Sequence, residues 1–147
     1  MTAGVRIRPA VAGDRTQLLP LARELATSYD VDGASFGAAL DGVLAAPTNL
    51  VLVAERGPHL VGYALAQLHH TFHANGVVVW VEEVMVDCAS RGGGVGRDLM
   101  TEIEAWGVRN GAAYVALATR RAEDFYRALG YEPSATYLKR VLSTRPS

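Results

Sequence analysis

The sequence predicts a mixed α/β fold, in which a mostly antiparallel central sheet is flanked by helices. Along the 147-residue chain, apolar β-branched runs alternate with stretches whose apolar residues recur at helical spacing. Turn signals at Gly57-Pro58 and at residues 71–76 join neighbouring strand candidates over few residues, as hairpins do. In addition, the apolar run 77–86 continues through a glycine-rich turn into a helical pattern that begins at Val95.

The first elements are a strand and a helix. Val5 and Ile7 alternate with arginines and predict an edge strand, which Pro9 ends. Asp14 is a candidate N-cap for the next helix, with Gln17 three residues later as in a capping box.

Pro20 lies inside this predicted helix, so we expect a kink or a late start there. A second, short helix is predicted around residues 36–44, and Pro47 closes it. The apolar runs 50–54 and 60–68 then form the two strands of a hairpin.

The second half of the chain begins with the long apolar run 77–86, which is typical of a strand at the centre of a sheet. The later elements are a long helix ending near Asn110-Gly111, a strand over 114–118, a helix around Tyr126, a short strand at Tyr131 and a last strand over 135–142. The predicted order is β-α-α-β-β-β-α-β-α-β. Residues 1–142 are expected to form one domain, and 143–147 a flexible tail.

Composition narrows the class of protein. Half of the residues are hydrophobic and the net charge is −1, without the basic block that a nucleic-acid-binding protein needs. The single cysteine, Cys88, cannot form an intramolecular disulfide and suits a reducing compartment. No apolar run approaches the ~20 residues of a membrane span, and the first residues contain no apolar signal segment. We therefore expect a cytoplasmic protein that binds neither nucleic acid nor membrane.

The glycine-rich turn has the composition of a phosphate-binding loop, because glycines allow close backbone approach and free amides at a helix start favour an anion. A P-loop would need a Lys-Ser/Thr pair that is missing here. The dinucleotide fingerprint fails because its third glycine falls on Arg97 or Leu99. The remaining pattern, R/Q-x-x-G-x-G/A, is satisfied by Arg91, Gly94 and Gly96.

A second pattern lies further along the chain. Residues 122–132 follow A-x-x-F-Y-x-x-L-G-F/Y-E, in which Phe125 and Tyr126 fall on one apolar helix face and Gly130 reads as a C-cap. In this order and separation, the two patterns together resemble the GNAT family of N-acetyltransferases. The resemblance covers roughly the second half of the chain, from Glu82 to Glu132.

The resemblance implies a GNAT-like sheet, acetyl-CoA as co-substrate and no metal. In this family the loop holds the pyrophosphate, and the pantetheine arm threads between two splayed strands. Thr119 stands where the family frequently has asparagine, but its hydroxyl can still bond the pantetheine amide or order a water molecule. Carried over to this chain, the cofactor-binding residues are Met85, Val86, Arg91, Gly92, Gly93, Gly94, Val95, Gly96, Thr119, Ala122 and Phe125.

The resemblance also implies the catalytic residues. Tyr126 matches the family's general acid beside the leaving sulfur; the alternative is a tyrosine of the core. Glu82 and Glu83 interrupt an apolar strand, where a charge is costly unless it is paired or faces a cavity. Alternation predicts that they lie on opposite faces, so that one reaches the acceptor amine. Glu82 is favoured, and a structural role for both is the alternative.

Other reactive side chains receive simpler interpretations. His69, His70 and His73 cluster in a loop-prone stretch that has no carboxylate or thiolate nearby, which favours a solvated hairpin over a metal site. Cys88 follows the strand but has no activating base in the pattern, so a covalent mechanism is not expected.

The predicted activity is direct transfer of an acetyl group to a primary amine. Asp30, Asp32 and Asp41, together with the two glutamates, suggest a small cationic amine such as a polyamine or an aminoglycoside. A protein or peptide acceptor is one alternative, and a CoA-binding regulatory module without turnover is another. A homodimer formed through the last strand would fit the resemblance.

Overall fold

The computed structural model describes residues 4–143, and these confirm the predicted mixed α/β fold class. In order along the chain, the elements are β1 (Val5–Pro9), α1 (Arg15–Leu25), α2 (Gly33–Ala45), β2 (Asn49–Arg56), β3 (His59–Thr71), β4 (Gly76–Val86), α3 (Val95–Arg109), β5 (Val115–Leu117) and α4 (Glu123–Ala128). Between residues 4 and 143, no helix has the length and apolar character needed to cross a membrane.

The strands form one sheet in the order β1-β2-β3-β4-β5. The pairs from β1 to β4 are antiparallel, and β5 joins β4 in parallel. This arrangement follows from the connections, because short hairpin turns link β2 to β3 and β3 to β4, whereas the long helix α3 connects β4 to β5.

Helices cover both faces of the sheet and bury two separate cores. On one face, α3 contributes the fully buried Leu99 and Ile103 to a core shared with β1 to β4. On the other face, α1 and α2 contribute Leu18 and Leu40 to a core that includes Tyr63. The nearly continuous apolar character of β2, β3 and β4 follows from this double coverage.

A bulge interrupts β4 at its two glutamates. Leu65 pairs with Glu83, but the next residue, Ala66, pairs with Val81, so that β4 contains one unmatched residue, Glu82. The bulge shifts the alternation of side chains by one position. As a result, the odd-numbered Val81 and the even-numbered Val84 both pack in the core beneath α3.

A partly buried ion pair joins β1 to the start of α1. The Arg8 guanidinium donates to both Asp14 carboxylate oxygens at 2.9 and 2.8 Å, and also to Glu55 of β2 at 3.1 Å. The Val11 backbone N–H adds a bond to Asp14 at 2.8 Å. These bonds, with that from Arg8 the largest cause, hold the pKa of the Asp14 carboxyl below its ordinary value of 3.8.

This ion pair changes the predicted start of α1. The helix begins at Arg15, directly after Asp14, but no side chain caps it. The carboxylate bonds Arg8 instead, and the Gln17 side chain bonds Leu60 N–H and Pro58 C=O of the β2–β3 hairpin. The predicted capping box is therefore wrong, and the late start expected from Pro20 is not observed, because α1 runs through that residue.

The predicted strands at Tyr131 and over 135–142 are wrong for the described part of the chain. Residues 131–143 form neither helix nor strand, and Leu138 and Leu142 are exposed. β5 has only three residues, so its edge provides few hydrogen bonds to hold an eight-residue strand. Tyr137 instead stacks on Trp80 with ring centroids 6.4 Å apart. Apart from Ser143, the predicted tail lies outside the described residues.

We expect Asp14→Asn to lower the free energy of unfolding at pH 7 by about 1–3 kcal/mol, since Arg8 then loses a buried charged acceptor. Because the folded pKa of Asp14 is lowered, its contribution is present above the unfolded pKa near 3.8 and disappears as the pH falls through the folded pKa. Urea unfolding at pH 7 and below pH 3 measures this, with Asp41→Asn on the exposed side of α2 as the control. Equal losses in the two variants at pH 7 would contradict the assignment.

Candidate active site

β5 stops pairing with β4 next to the β4 bulge, and we call the space beside the unpaired edge of β4 the cleft. Among the described residues, β5 pairs with β4 only across residues 79–81. The Asp87 N–H donates to Val61 C=O of β3 at 2.8 Å, so the Val86 carbonyl, on the other side of that peptide, faces the cleft. By alternation the peptide groups of Val84 face the same way, whereas those of Met85 face Tyr63 of β3. The cleft therefore has a strand edge that an extended ligand with amide groups can pair with.

The glycine-rich loop stands at one end of this cleft. Gly92 and Gly94 have φ of 83° and 91°, a left-handed conformation that favours glycine. Gly94 is the N-cap of α3, and no side chain caps this 15-residue helix. The amides of residues 95–97 have no intrahelical acceptors, and the helix dipole adds partial positive charge. This is the geometry of an anion site, as the sequence predicts.

Side chains fix the loop to the sheet. The Arg56 guanidinium at the end of β2 donates to the buried Ser90 hydroxyl at 3.0 Å. The Arg91 Nε donates to the Val86 carbonyl at 2.9 Å, and its Nη2 lies 3.7 Å from a Glu24 oxygen of α1. Arg91 is thus a positive charge at the loop, as expected, but it also occupies one of the peptide oxygens that face the cleft.

Gly96 has a different role from the other loop glycines. It lies within α3, and a Cβ added there would be 3.0 Å from the Phe125 Cζ. Its missing side chain therefore allows α4 to approach α3 closely. This contact brings the two patterns that carry the resemblance side by side in the fold.

Tyr126 of α4 is half-buried against this assembly. Its ring makes edge contacts with Phe125 and Tyr131, at centroid distances of 4.9 and 5.9 Å. Burial raises the pKa of the Tyr126 phenol above its ordinary value of 10.0. The hydroxyl therefore remains protonated at neutral pH, as a general acid must be before it donates.

Thr119 precedes α4, and its side chain already has a partner. The Thr119 hydroxyl oxygen accepts a hydrogen bond from the Ala122 N–H at 3.0 Å, where Ala122 is the N-cap of α4. The hydroxyl hydrogen remains available as a donor. Thr119 thus positions the start of α4 whether or not it also contacts a ligand.

Glu82 and Glu83 line the same cavity, so the prediction that they lie on opposite faces is wrong. The bulge is the reason, because the unmatched residue breaks the alternation on which that prediction depended. Glu82 is exposed and accepts a hydrogen bond from the Trp80 indole at 2.8 Å. Glu83 is half-buried and closer to the centre of the sheet.

Tyr63 of β3 holds the Glu83 carboxylate. Its hydroxyl donates to Glu83 Oε1 at 2.6 Å, the short distance typical of a charge-assisted bond. Burial is the main cause that raises the Tyr63 pKa, and the negative charge of Glu83 adds to it. The phenol is therefore a permanent donor, which leaves the second Glu83 oxygen free to face the cavity.

The cavity has a volume of about 620 Å³ and lies between the sheet and helices α1 and α2. Leu25, Phe36 and Leu65 are among its apolar walls, and the two glutamates stand at its sheet side. Since both glutamates belong to the β4 bulge, the cavity and the cleft meet at that point.

Two other sets of side chains stand out in the sequence, the three histidines of residues 69–73 and the single cysteine. His69 and His70 are exposed on β3, and His73 bonds the Tyr114 hydroxyl at 2.9 Å. Within residues 4–143, no three histidine, cysteine or acidic side chains are grouped closely enough to hold a metal ion. Cys88 is exposed and unpaired.

The sequence analysis missed Tyr63 and the parts of the cavity wall that come from α1, β2 and β3. Tyr63 lies 20 residues from Glu83, and only the β3–β4 register brings the two together. Arg120 and Lys139, which also line the cavity, approach it from irregular segments after β5 and after α4. No local pattern indicates such long-range neighbours.

Comparison with known proteins adds a family match and structural neighbours. Residues 47–133, more than half of the chain, match the family described as "Acetyltransferase (GNAT) domain". Glucosamine-6-phosphate N-acetyltransferase from Arabidopsis thaliana has a similar fold, with a TM-score of 0.85 at 17% identity over 95% of this chain and 99% of that one.

Two further neighbours have the same fold. An acetyltransferase from Trypanosoma brucei gives a TM-score of 0.82 at 23% identity, covering 94% of this chain and 99% of the other. The aminoglycoside N-acetyltransferase AAC(6')-Iy, solved in complex with CoA, gives 0.82 at 22% identity, with 95% of each chain covered. At these identities the structural likeness supports the fold alone.

Proposed function

Since the chain belongs to the GNAT acetyltransferase family, we propose that it transfers the acetyl group of acetyl-CoA directly to a primary amine bound in the cavity beneath α1 and α2. One observation carries the proposal: an anion-binding loop with an open strand edge and a cavity with two carboxylates meet at the bulge of β4. Direct transfer needs donor and acceptor together, and this junction is where both sites open.

The donor side consists of the α3 loop and the cleft. The free amides at the start of α3 suit a pyrophosphate, and Arg91 adds positive charge beside them. The outward peptide groups of Val84 and the outward N–H of Val86 suit the amides of a pantetheine chain, whereas the Val86 carbonyl is bonded to Arg91. When bound there, acetyl-CoA supplies a thioester carbonyl that is open to attack by an amine.

In the proposed acceptor site, Glu83 is better placed than Glu82 to bind the amine. Glu83 is half-buried and oriented by Tyr63, whereas Glu82 is exposed and bonded to Trp80. A partly desolvated carboxylate attracts an ammonium group more strongly than an exposed one, and it can take a proton directly or through water as the amine attacks. This assigns the amine-binding role to Glu83 and a rim position to Glu82.

Tyr126 can supply the proton that the departing sulfur needs. The amine loses a proton toward Glu83, and the departing sulfur needs one as the bond to the acetyl carbon breaks. The Tyr126 phenol is protonated at neutral pH, and it can pass its proton to the sulfur as the bond to the acetyl carbon breaks, after which the phenolate recovers a proton from solvent. Burial raises the pKa of Tyr126, which makes this transfer more uphill than from an ordinary phenol.

The test of this function is acetyl-CoA-dependent release of CoA with a panel of amines, the products being identified by mass. We expect an acetylated amine, and we expect Tyr126→Phe to lower kcat by about 100-fold, the low end for loss of a general acid. Tyr131→Phe is the matched control, because its hydroxyl bonds Glu104 and not the cleft.

Calorimetric titration with acetyl-CoA should give the same affinity for wild type and Tyr126→Phe. Tight binding of acetyl-CoA without acetylation of any amine would instead favour a regulatory module. Products found only with peptides would favour a protein or peptide acceptor.

We expect Gly94→Asp to weaken acetyl-CoA binding by at least about 100-fold, since a carboxylate would face the pyrophosphate at the start of α3. Aspartate tolerates the left-handed conformation, so the fold should survive. Gly111→Asp, at a φ of 71° beyond the other end of α3, is the control and should bind normally. If Gly94→Asp binds acetyl-CoA as wild type does, the loop is not the pyrophosphate site.

The two glutamates offer a matched pair of variants. We expect Glu83→Gln to lower kcat/KM for the amine by about 100-fold through loss of the base, and Glu82→Gln to lower it by less than about threefold. Affinity for acetyl-CoA should not change in either variant. The reverse order of effects, measured at saturating acetyl-CoA, would assign the amine-binding role to Glu82.

A further inference from the structure

We propose that the acceptor is an amine carried on an apolar body, such as an alkyl or arylalkyl chain, and not a polyamine or an aminoglycoside. This inference rests on the proposed function and names the substrate class of the same site. It departs from the cationic acceptor that the acidic residues of the sequence suggested.

The walls of the cavity are the first argument. Nonpolar side chains from α1, α2 and the facing strands line it, among them Leu18, Leu25, Phe36, Val43 and Leu65. A cavity of about 620 Å³ is within the usual size of small-molecule sites. Each methylene of a ligand that such walls remove from water makes the free energy of binding more favourable.

The second argument is that only one carboxylate of the cavity is half-buried. Asp32, Glu82 and Glu83 each accept one hydrogen bond, from the Ser35 N–H, the Trp80 indole and the Tyr63 hydroxyl, and each keeps one oxygen. Asp32 and Glu82 are exposed, so solvent weakens their attraction for an ammonium group. Glu83 is half-buried and can hold a single ammonium group.

Basic residues reinforce this limit. Arg120 and Lys139 also line the cavity, so its three carboxylates face two cations. Neither Asp30 nor Asp41 belongs to the lining. Each further ammonium of a polyamine or aminoglycoside would enter apolar surroundings without a partner, which is strongly unfavourable.

The experiment compares kcat/KM along the series propylamine, butylamine, pentylamine and hexylamine, with phenethylamine and spermidine added, at saturating acetyl-CoA. We expect about a threefold increase per methylene until the cavity is filled, and spermidine to be poorer than hexylamine. A flat series, or spermidine as the best acceptor, would overturn the inference and leave the acetyltransferase function standing. If acetyl-CoA binds but no amine is acetylated, the proposed function and this inference both fail.

A pair of variants on α2 tests whether the cavity causes the preference. If the longer chain alone reaches the Phe36 ring, Phe36→Ala should lower kcat/KM for hexylamine by about tenfold and leave propylamine within about twofold. Leu44→Ala is the control, because Leu44 packs against the same core without lining the cavity. An equal effect of Phe36→Ala on both amines, or an equal effect of the two variants on hexylamine, would contradict the inference.

Discussion

The extra residue in β4 is the constraint on which the rest of the site depends. Without it, Glu83 could not lie on the face of α1 and α2 while Val81 and Val84 both pack beneath α3. In a strand without the bulge, either Glu83 or one of the two valines would point to the opposite face of the sheet. The bulge also lies close to where β5 leaves β4, so the same irregularity orients the carboxylates and adjoins the cleft.

Some side chains around the site are held by hydrogen bonds, whereas some backbone groups of the site have no partner within the described residues. Tyr63, Arg56 and Arg8 are held by hydrogen bonds to carboxylates or to a buried hydroxyl, and they fix the sheet, the loop and α1 in place. The α3 amides, the peptide groups of Val84 and the Val86 N–H lack such partners within the described chain, whereas the Val86 carbonyl accepts from Arg91. Unsatisfied backbone groups gain most when a ligand binds them, so these groups suit the donor site proposed above.

Features that depend on neighbouring residues alone could be predicted from the sequence. Gly92 and Gly94 adopt the positive φ that the loop pattern requires, and the elements follow the predicted order as far as α4. Features that depend on register or on distant partners could not. Arg8 takes the Asp14 carboxylate from its expected helix cap, and the bulge cancels the alternation on which the placement of Glu82 depended. The predicted last strand failed for a similar reason, because pairing needs an edge that a three-residue β5 does not supply.

The separation of the two cores by the sheet has a consequence for how such a protein can change over evolutionary time. Side chains of α1 and α2 shape the cavity without belonging to the core beneath α3. Under the proposed function, substitutions at Leu25 or Phe36 change the acceptor while the loop before α3 keeps its geometry. A lineage with this architecture would then diversify its acceptors through one face of the sheet and leave the proposed donor site unchanged.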